Sequence, residues 1–323
     1  MNRILITPSI FGKDDSTPLS SLRNAGYEAI INPYGRKLTE DEVLNLLLEL
    51  KPVGIIAGVE PLTARVLQQA KGLRVISRCG AGLENVDLDA ARSLGIIVTN
   101  TPDAPTQAVA ELTIGLIFNL LRRISFLDRE LREGKWTKET GSLVRDKKVG
   151  IIGLGRIGKR VAEILLALGA KVAGTDIQPD YGWLQKSQVS LLSLEELLKQ
   201  SDILCLHVSH AASNKDLIGR KELETMPEGA YLINTSRGEV IDHDALYSVL
   251  TSGHLSGAAL DVFDQEPYTG PLTRLDNVVL TPHIGSYAKE TRLEMETQAV
   301  KNLLSALNRH TDARPEKPSP ATC

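Results

Sequence analysis

The sequence has few cysteines, no basic run and no apolar stretch of membrane length, and each shortage removes a class of function. Its three cysteines, Cys79, Cys205 and Cys323, are odd in number, and their spacing fits neither a disulfide framework nor a metal site. No metal is expected, and the implied setting is reducing and cytoplasmic. Cys79 reads as a small polarizable filler. The formal net charge is −3, and no cluster of Lys and Arg marks a nucleic-acid footprint. The longest apolar stretch, 108–121, contains Glu111 and Asn119 and falls short of the roughly 20 residues a spanning helix needs. Residues 1–8 read as a short strand with no apolar signal core behind it.

What is present is ordinary globular material, 42% hydrophobic and 24% charged. At 323 residues the chain exceeds the roughly 250–300 at which single cores stop growing, so two domains are expected. Short apolar runs at 4–7, 28–31, 53–57, 74–77 and 96–98 alternate with helical patterns, one of them opened by the capping box Thr39…Glu42. After Asn100-Thr101-Pro102 the pattern predicts a long helix over 106–133. A second strand series follows at 148–152, 171–175, 203–206, 231–233, 257–260 and 278–280, with Ser193…Glu196 and Asp242 opening two of the intervening helices. A last helix covers 286–309, and the proline-bearing tail 310–323 reads as disordered. Strands alternating with helices imply parallel βαβ units, hence an α/β fold.

Gly153-Leu154-Gly155-Arg156-Ile157-Gly158 is a G-x-G-x-x-G. Alone it often marks a turn and nothing more. Here an apolar strand leads into it, an amphipathic helix continues from Lys159, and a second strand ends in Asp176, near the spacing of about 20 residues of an acidic ribose ligand. The glycines allow a tight turn and close backbone approach, and amides starting near Arg156 meet a pyrophosphate. Asp176 would accept from ribose hydroxyls and repel a 2′-phosphate, and Ile177-Gln178 adds no cation, so NAD is expected rather than NADP.

Ligands of open α/β sheets bind outside the carboxyl ends of the strands. Three groups there can do acid–base or electrostatic work: Arg237 in Asn234-Thr235-Ser236-Arg237-Gly238, Glu266 after the strand at 257–260, and His283 in Thr281-Pro282-His283-Ile284-Gly285. Reducing a 2-keto acid needs a cation for the carboxylate, a proton donor for the nascent alkoxide and a hydride source. A carboxylate beside the histidine would favour its protonated form and orient the ring. Taken singly, each has an ordinary reading as a surface charge or a satisfied polar group. That reading is given to His210, His243, His254 and His310, while His207, which also ends a strand, stays a rival to His283.

The chain resembles the D-isomer-specific 2-hydroxyacid dehydrogenase family, and within it the short phosphoglycerate-dehydrogenase-type members. The resemblance rests on Arg78-Cys79-Gly80-Ala81-Gly82-Leu83-Glu84-Asn85-Val86-Asp87, Asn100-Thr101-Pro102, Val109-Ala110-Glu111, the glycine motif, Thr235-Ser236-Arg237-Gly238, Ala259-Leu260-Asp261-Val262-Phe263 with Glu266-Pro267, and Pro282-His283-Ile284-Gly285. It implies that Arg237, Glu266 and His283 form a catalytic triad, with Arg237 binding and polarising the keto acid, His283 the acid/base and Glu266 its orienting partner. It implies further that Asp261 holds the nicotinamide carboxamide, that Val208, Thr235 and Gly285 line the cofactor, and that backbone at Ala81 and Gly82 receives the substrate carboxylate. The implied architecture is a Rossmann NAD domain over 100–287 inserted into a flavodoxin-like substrate domain made of 1–99 and 288–323. The long helix and Gly134-Lys135-Trp136 resemble a dimerisation arm, so a homodimer is expected.

The chain departs from the family pattern at Glu84, where Asp is usual, at Ser209 and Ala211 after the strand-end histidine, and at Pro105 ahead of Val-Ala-Glu. No serine feedback through a C-terminal regulatory domain is expected. Arg78 stays open between two roles, a second cation for a dianionic substrate such as phosphoglycerate, or a structural arginine paired with Glu84 or another carboxylate. Two further readings keep the fold: a phosphite-type dehydrogenase, which retains all three groups, and an NAD(H)-sensing corepressor-like binding protein. Glu266 argues against a formate-type enzyme, which pairs the histidine with glutamine.

Overall fold

The computed structural model describes residues 1–209 and 212–312. It groups them into two compact units, Met1–Pro105 with the chain from Ala288 onward, and Thr106–Tyr287. The first unit contains strands β1 (Asn2–Ile6), β2 (Tyr27–Ile31), β3 (Gly54–Ala57), β4 (Val75–Arg78) and β5 (Ile97–Thr99), with helices α1 (Thr17–Asn24), α2 (Glu40–Leu50), α3 (Ala64–Gln69) and α4 (Leu88–Ser93) between them. The second unit opens with helices α5 (Thr106–Arg122) and α6 (Ile124–Arg132). It continues through β6 (Lys148–Ile152), α7 (Arg156–Ala167), β7 (Lys171–Thr175), α8 (Tyr181–Leu184), β8 (Ser190–Leu191), α9 (Leu194–Gln200), β9 (Ile203–Leu206), α10 (Arg220–Thr225), β10 (Ala230–Asn234), α11 (His243–Thr251), β11 (Leu255–Leu260) and β12 (Val278–Leu280). Helix α12 (Lys289–Asp312) returns to the first unit.

The sheet of the first unit is parallel, in the order β2-β1-β3-β4-β5, which is the flavodoxin-like order. A parallel sheet needs cover on both faces. On one face Leu5, Ile55 and Ile76 pack against Val43 and Leu47 of α2 and Val66 of α3. On the other, Ile4, Ile6 and Val75 meet Met295, Ala299, Leu303 and Leu307. Those four recur every fourth residue along α12 and so form one stripe. That stripe is why the end of the chain belongs with its beginning. Leu303 is wholly buried, and Leu303→Ala would cost about 2–5 kcal/mol.

The sheet of the second unit is parallel in the order β12-β11-β10-β9-β6-β7-β8, the doubly wound order with its reversal between β6 and β9. Register sets the site. Thr175, Ile152, Leu206, Asn234, Leu260 and Leu280 pair across six strands in one row. The residues that leave this row are Asp176, Gly153, His207, Thr235, Asp261 and Thr281, so the carboxyl ends release their loops level with one another.

Three expectations are corrected. The helix over 106–133 is two helices, because Arg123 between them adopts a left-handed φ of 49°. Asn119 stabilises the break: its Oδ1 accepts from Ser125 N at 2.9 Å and its Nδ2 donates to Ser125 Oγ at 2.6 Å. The two-residue edge strand β8 is absent from the expected series, being too short to carry an alternating pattern. Helix α12 runs through Asp312, into the segment expected to be disordered. The rest of that tail, 313–323, and His210 lie outside the described residues.

Candidate active site

The glycine motif joins β6 to α7. Gly155 is the N-cap of α7 and supplies no side-chain cap, and a helix start of this kind suits an anionic group. Nothing lies within 4 Å of where a Cβ at Gly155 would be, which leaves room for a phosphate against the backbone. Arg156 opens the helix, Ile157 is half-buried and Gly158 is buried. At the end of β7, Asp176 Oδ2 accepts from Leu154 N at 2.7 Å and Oδ1 from Gln178 N at 2.7 Å. The carboxylate is thereby fixed beside the glycine turn with lone pairs to spare for hydroxyl donors. These residues fit a dinucleotide: an uncapped helix start for pyrophosphate, open backbone, and a held acid for the ribose.

Each candidate catalytic group sits on a loop braced from below. Asn234, wholly buried at the end of β10, bends the 234–237 loop: its Oδ1 accepts from Ser236 N at 3.0 Å and Ser236 Oγ at 2.8 Å, and its Nδ2 donates to Arg237 O at 2.7 Å. Arg237 is half-buried, and its Nη1 donates to Ser236 O at 2.7 Å. Thr235 and Thr113 of α5 share a hydroxyl hydrogen bond of 3.0 Å. Val208 is half-buried just past β9.

His283 lies beyond β12 with a φ of 54°, a conformation that β-branched or bulky residues avoid. Its Nδ1 is 2.9 Å and 3.1 Å from the two carboxylate oxygens of Glu266. An ionised carboxylate only accepts, so Nδ1 carries the hydrogen and Nε2 is the nitrogen able to exchange a proton with a ligand. About half of the His283 side chain is exposed, 51%, so a ligand can reach it. Glu266 Oε1 also accepts from Phe263 N at 3.2 Å. Asp261 is 1% exposed and accepts from Thr281 Oγ1 at 2.6 Å, Ile284 N at 2.8 Å and Gly285 N at 2.8 Å. Burial pushes its carboxyl above the usual range, against those hydrogen bonds and the nearby charge of His283.

The other strand-end histidine differs sharply. Neither ring nitrogen of His207 is exposed or has a hydrogen-bond partner, and burial pulls its pKa down to about 4. Near pH 7 it is a neutral ring without the imidazolium proton, and its one N–H is buried away from any ligand.

The segment expected to receive substrate, 78–82, belongs to the first unit. Arg78 Nη1 donates to the carbonyl of Cys79, and the guanidinium occupies the space at Gly80 where any other residue would carry its Cβ. Its charge also draws down the carboxyl of Glu60, against the stronger upward push of burial; Glu60 is 1% exposed and accepts from Thr7 Oγ1 at 2.5 Å and Gly58 N at 3.2 Å. Ala81 is exposed and its carbonyl accepts from Asn100 Nδ2 at 2.6 Å, while Gly82 is half-buried. Sequence reasoning missed Asn234 as a brace, the loop-building role of Asp261, and Glu60. Asn234 and Asp261 each end a strand in a loop already singled out, and that position was the available signal. Among the described residues no three His, Cys, Asp or Glu are placed to hold a metal, and no helix is long and apolar enough to cross a membrane.

Residues 114–285 match the family model described as D-isomer specific 2-hydroxyacid dehydrogenase, NAD binding domain. The chain is 36% identical over 277 residues to the hydroxypyruvate reductase of Thermotoga maritima, covering 84% of this chain and 89% of the relative. It is 39% identical over 282 residues to the D-3-phosphoglycerate dehydrogenase of Haemophilus influenzae, covering 85% of this chain and 68% of the relative. Among solved structures, the TT0316 protein of Thermus thermophilus superposes with a TM-score of 0.88 at 39% identity, over 95% of this chain and 97% of that one.

Proposed function

From the premise that the chain belongs to the D-isomer-specific 2-hydroxyacid dehydrogenases, we propose that it interconverts a small 2-keto acid bearing one carboxylate and the corresponding D-2-hydroxy acid. The observation that supports this best is the Glu266–His283 pair, set at the level end of the strands that also release the glycine turn. NADH, when bound, would supply a hydride for C2 of the keto acid. Arg237 holds the substrate and draws electron density towards the keto oxygen. As the C=O π bond opens, His283 delivers the Nε2 proton to that oxygen, and Glu266 balances the imidazolium and keeps the ring oriented. Solvent then returns the proton to His283. In the oxidative direction His283 accepts the hydroxyl proton instead.

Gly153, Gly155, Arg156, Ile157 and Gly158 are assigned to the pyrophosphate, Asp176 to the ribose hydroxyls, and Val208, Thr235, Asp261 and Gly285 to the nicotinamide end. The amides of Ala81 and Gly82 are assigned to the substrate carboxylate, and 1–99 with 288–323 to the substrate domain. The relatives act on acids that differ in a second charge, so their names do not choose the substrate. What favours a monoanion is Arg78, whose guanidinium is engaged with the Cys79 carbonyl and whose charge acts on the buried carboxyl of Glu60. The exposed Ile124, Leu131, Trp136 and Leu143 support a homodimer formed through α6 and the segment after it. The proposed compartment is the cytoplasm, on the cysteine usage alone.

The test is His283→Ala, assayed for NADH oxidation with hydroxypyruvate and glyoxylate. Turnover should fall by roughly 10²–10⁴ with NADH binding retained. Near-normal turnover would overturn the reading.

A further inference from the structure

His243 is the first residue of α11, where a solvated polar side chain is usual, yet only 12% of its side chain is exposed. Its Nδ1 lies 3.1 Å from Asp264 Oδ1. Its ring stands edge-on to Phe263 and to Tyr268, with centroids 6.4 Å and 6.0 Å away, and those two rings stack on each other at 4.5 Å. Its Nε2 is buried without a partner. One imidazole thus grips residues 263, 264 and 268 together.

That segment carries Glu266. Phe263 N donates to Glu266 Oε1 at 3.2 Å, and Asp264 Oδ1 also accepts from Gln265 N at 2.9 Å, so the grip is continuous with the carboxylate that meets His283. The same segment lies against the backbone of Gly238, next to Arg237. A Cβ at Gly238 would fall 1.8 Å from Phe263 C and 2.2 Å from Asp264 N, so only glycine permits this approach. The 263–268 segment therefore touches both the arginine loop and the histidine.

We propose that His243 is a positioning residue for proton transfer: through Asp264 and the Phe263–Tyr268 stack it fixes the 263–268 segment so that Glu266 stays on His283. The inference rests on the reading of Glu266 and His283 as the proton-transfer pair. His243 touches no reacting atom and acts through Glu266.

The test uses the whole chain, with rates expressed per NADH-binding site so that loss of folded protein does not count as loss of turnover. His243→Phe keeps a ring beside Phe263 and Tyr268 and removes the hydrogen bond. Asp264→Ala removes the acceptor from a side chain that is 61% exposed, where the fold is not at risk. Each should lower kcat for hydroxypyruvate reduction roughly tenfold, as expected when a catalytic group is held off its geometry. KM and the NADH Kd should stay near wild type. His243→Asn, which keeps a donor where Nδ1 stands, should recover most of the loss, and the double variant should be no worse than either single one. Unchanged kcat per site, no recovery in His243→Asn, or additive losses in the double variant would overturn the proposal. Glu266→Gln is measured alongside. If it loses turnover while His243→Phe does not, this inference alone fails; if Glu266→Gln keeps full turnover, the underlying reading fails with it.

Discussion

Asp261 builds the turn that presents His283. Its two carboxylate oxygens take three hydrogen bonds from residues flanking the histidine, Thr281 before it and Ile284 and Gly285 after it, and the histidine between them holds a φ of 54°. A left-handed non-glycine residue costs of order 1–3 kcal/mol and persists only where its surroundings over-determine it. Asp261 is what over-determines this one.

Asp261→Ala should therefore damage both stability and chemistry. Leaving buried donors unmet costs about 1–3 kcal/mol each, and a released turn lets His283 relax away from Glu266. We expect a lower urea midpoint together with a fall in kcat of roughly 10²-fold. A variant that loses stability but keeps wild-type kcat would limit Asp261 to folding.

Cofactor choice turns on Asp176. Its carboxylate is held by Leu154 N and Gln178 N, and neither neighbour offers a cation to a 2′-phosphate, Ile177 being 94% exposed and uncharged. NADH should support turnover far better than NADPH. Asp176→Ala should narrow that gap and weaken NADH, since the same carboxylate steadies the glycine turn. A wild-type preference for NADPH would contradict this.

Stability should respond to pH through His207. Its folded pKa of about 4 lies below the ordinary 6.5 of a solvated histidine, so between these limits the unfolded chain binds a proton that the folded ring refuses. The contribution is fully present above pH 6.5 and is lost as pH falls towards 4. Between pH 8 and pH 5 it amounts to about 2 kcal/mol. Glu60, Asp261 and Glu296, whose carboxyls burial pushes up, run the opposite way but cancel when wild type is compared with His207→Phe. That difference should shrink in favour of the variant at pH 5; an identical difference at pH 8 and pH 5 would count against a buried neutral His207.

What can be read from the sequence is what is local or periodic. The glycine motif announces itself because strand, turn and helix are contiguous, and Arg237, Glu266 and His283 stand out because each follows a recognisable strand. The break at Arg123 is hidden because it depends on Asn119 reaching forward to Ser125 across an otherwise apolar helical pattern. The braces are hidden for another reason. Asp261 meets Gly285 at a separation of 24 residues and His243 meets Asp264 at 21, and no propensity or spacing rule links loops so far apart. They become neighbours only because the strands end in one row. On sequence grounds alone His243 therefore has nothing beyond an ordinary reading. The direction of the Arg78 side chain is equally beyond the sequence, which can name two roles and not choose.

The substrate depends on that choice. Arg78 stands at the end of β4, where a second cation would suit a phosphate, sulfonate or distal carboxylate. Its Nη1 instead donates to the Cys79 carbonyl, and its charge draws down the carboxyl of the buried Glu60, which Thr7 and Gly58 hold in place. A guanidinium already used in this way shapes the 79–82 loop rather than awaiting a dianion. The experiment is one panel of NADH oxidation with glyoxylate, hydroxypyruvate, pyruvate, 3-phosphohydroxypyruvate, sulfopyruvate and oxaloacetate, repeated with Arg78→Ala and Glu60→Gln. Wild type should favour the monoanions, and both variants should lose all six acids in similar proportion, because the same loop is disturbed in each. If the dianions win in wild type and Arg78→Ala loses them selectively, Arg78 is a substrate cation and the proposed class is wrong. No turnover on any acid, with NADH still bound, would instead point to phosphite-type chemistry or to a sensor, since both keep the triad.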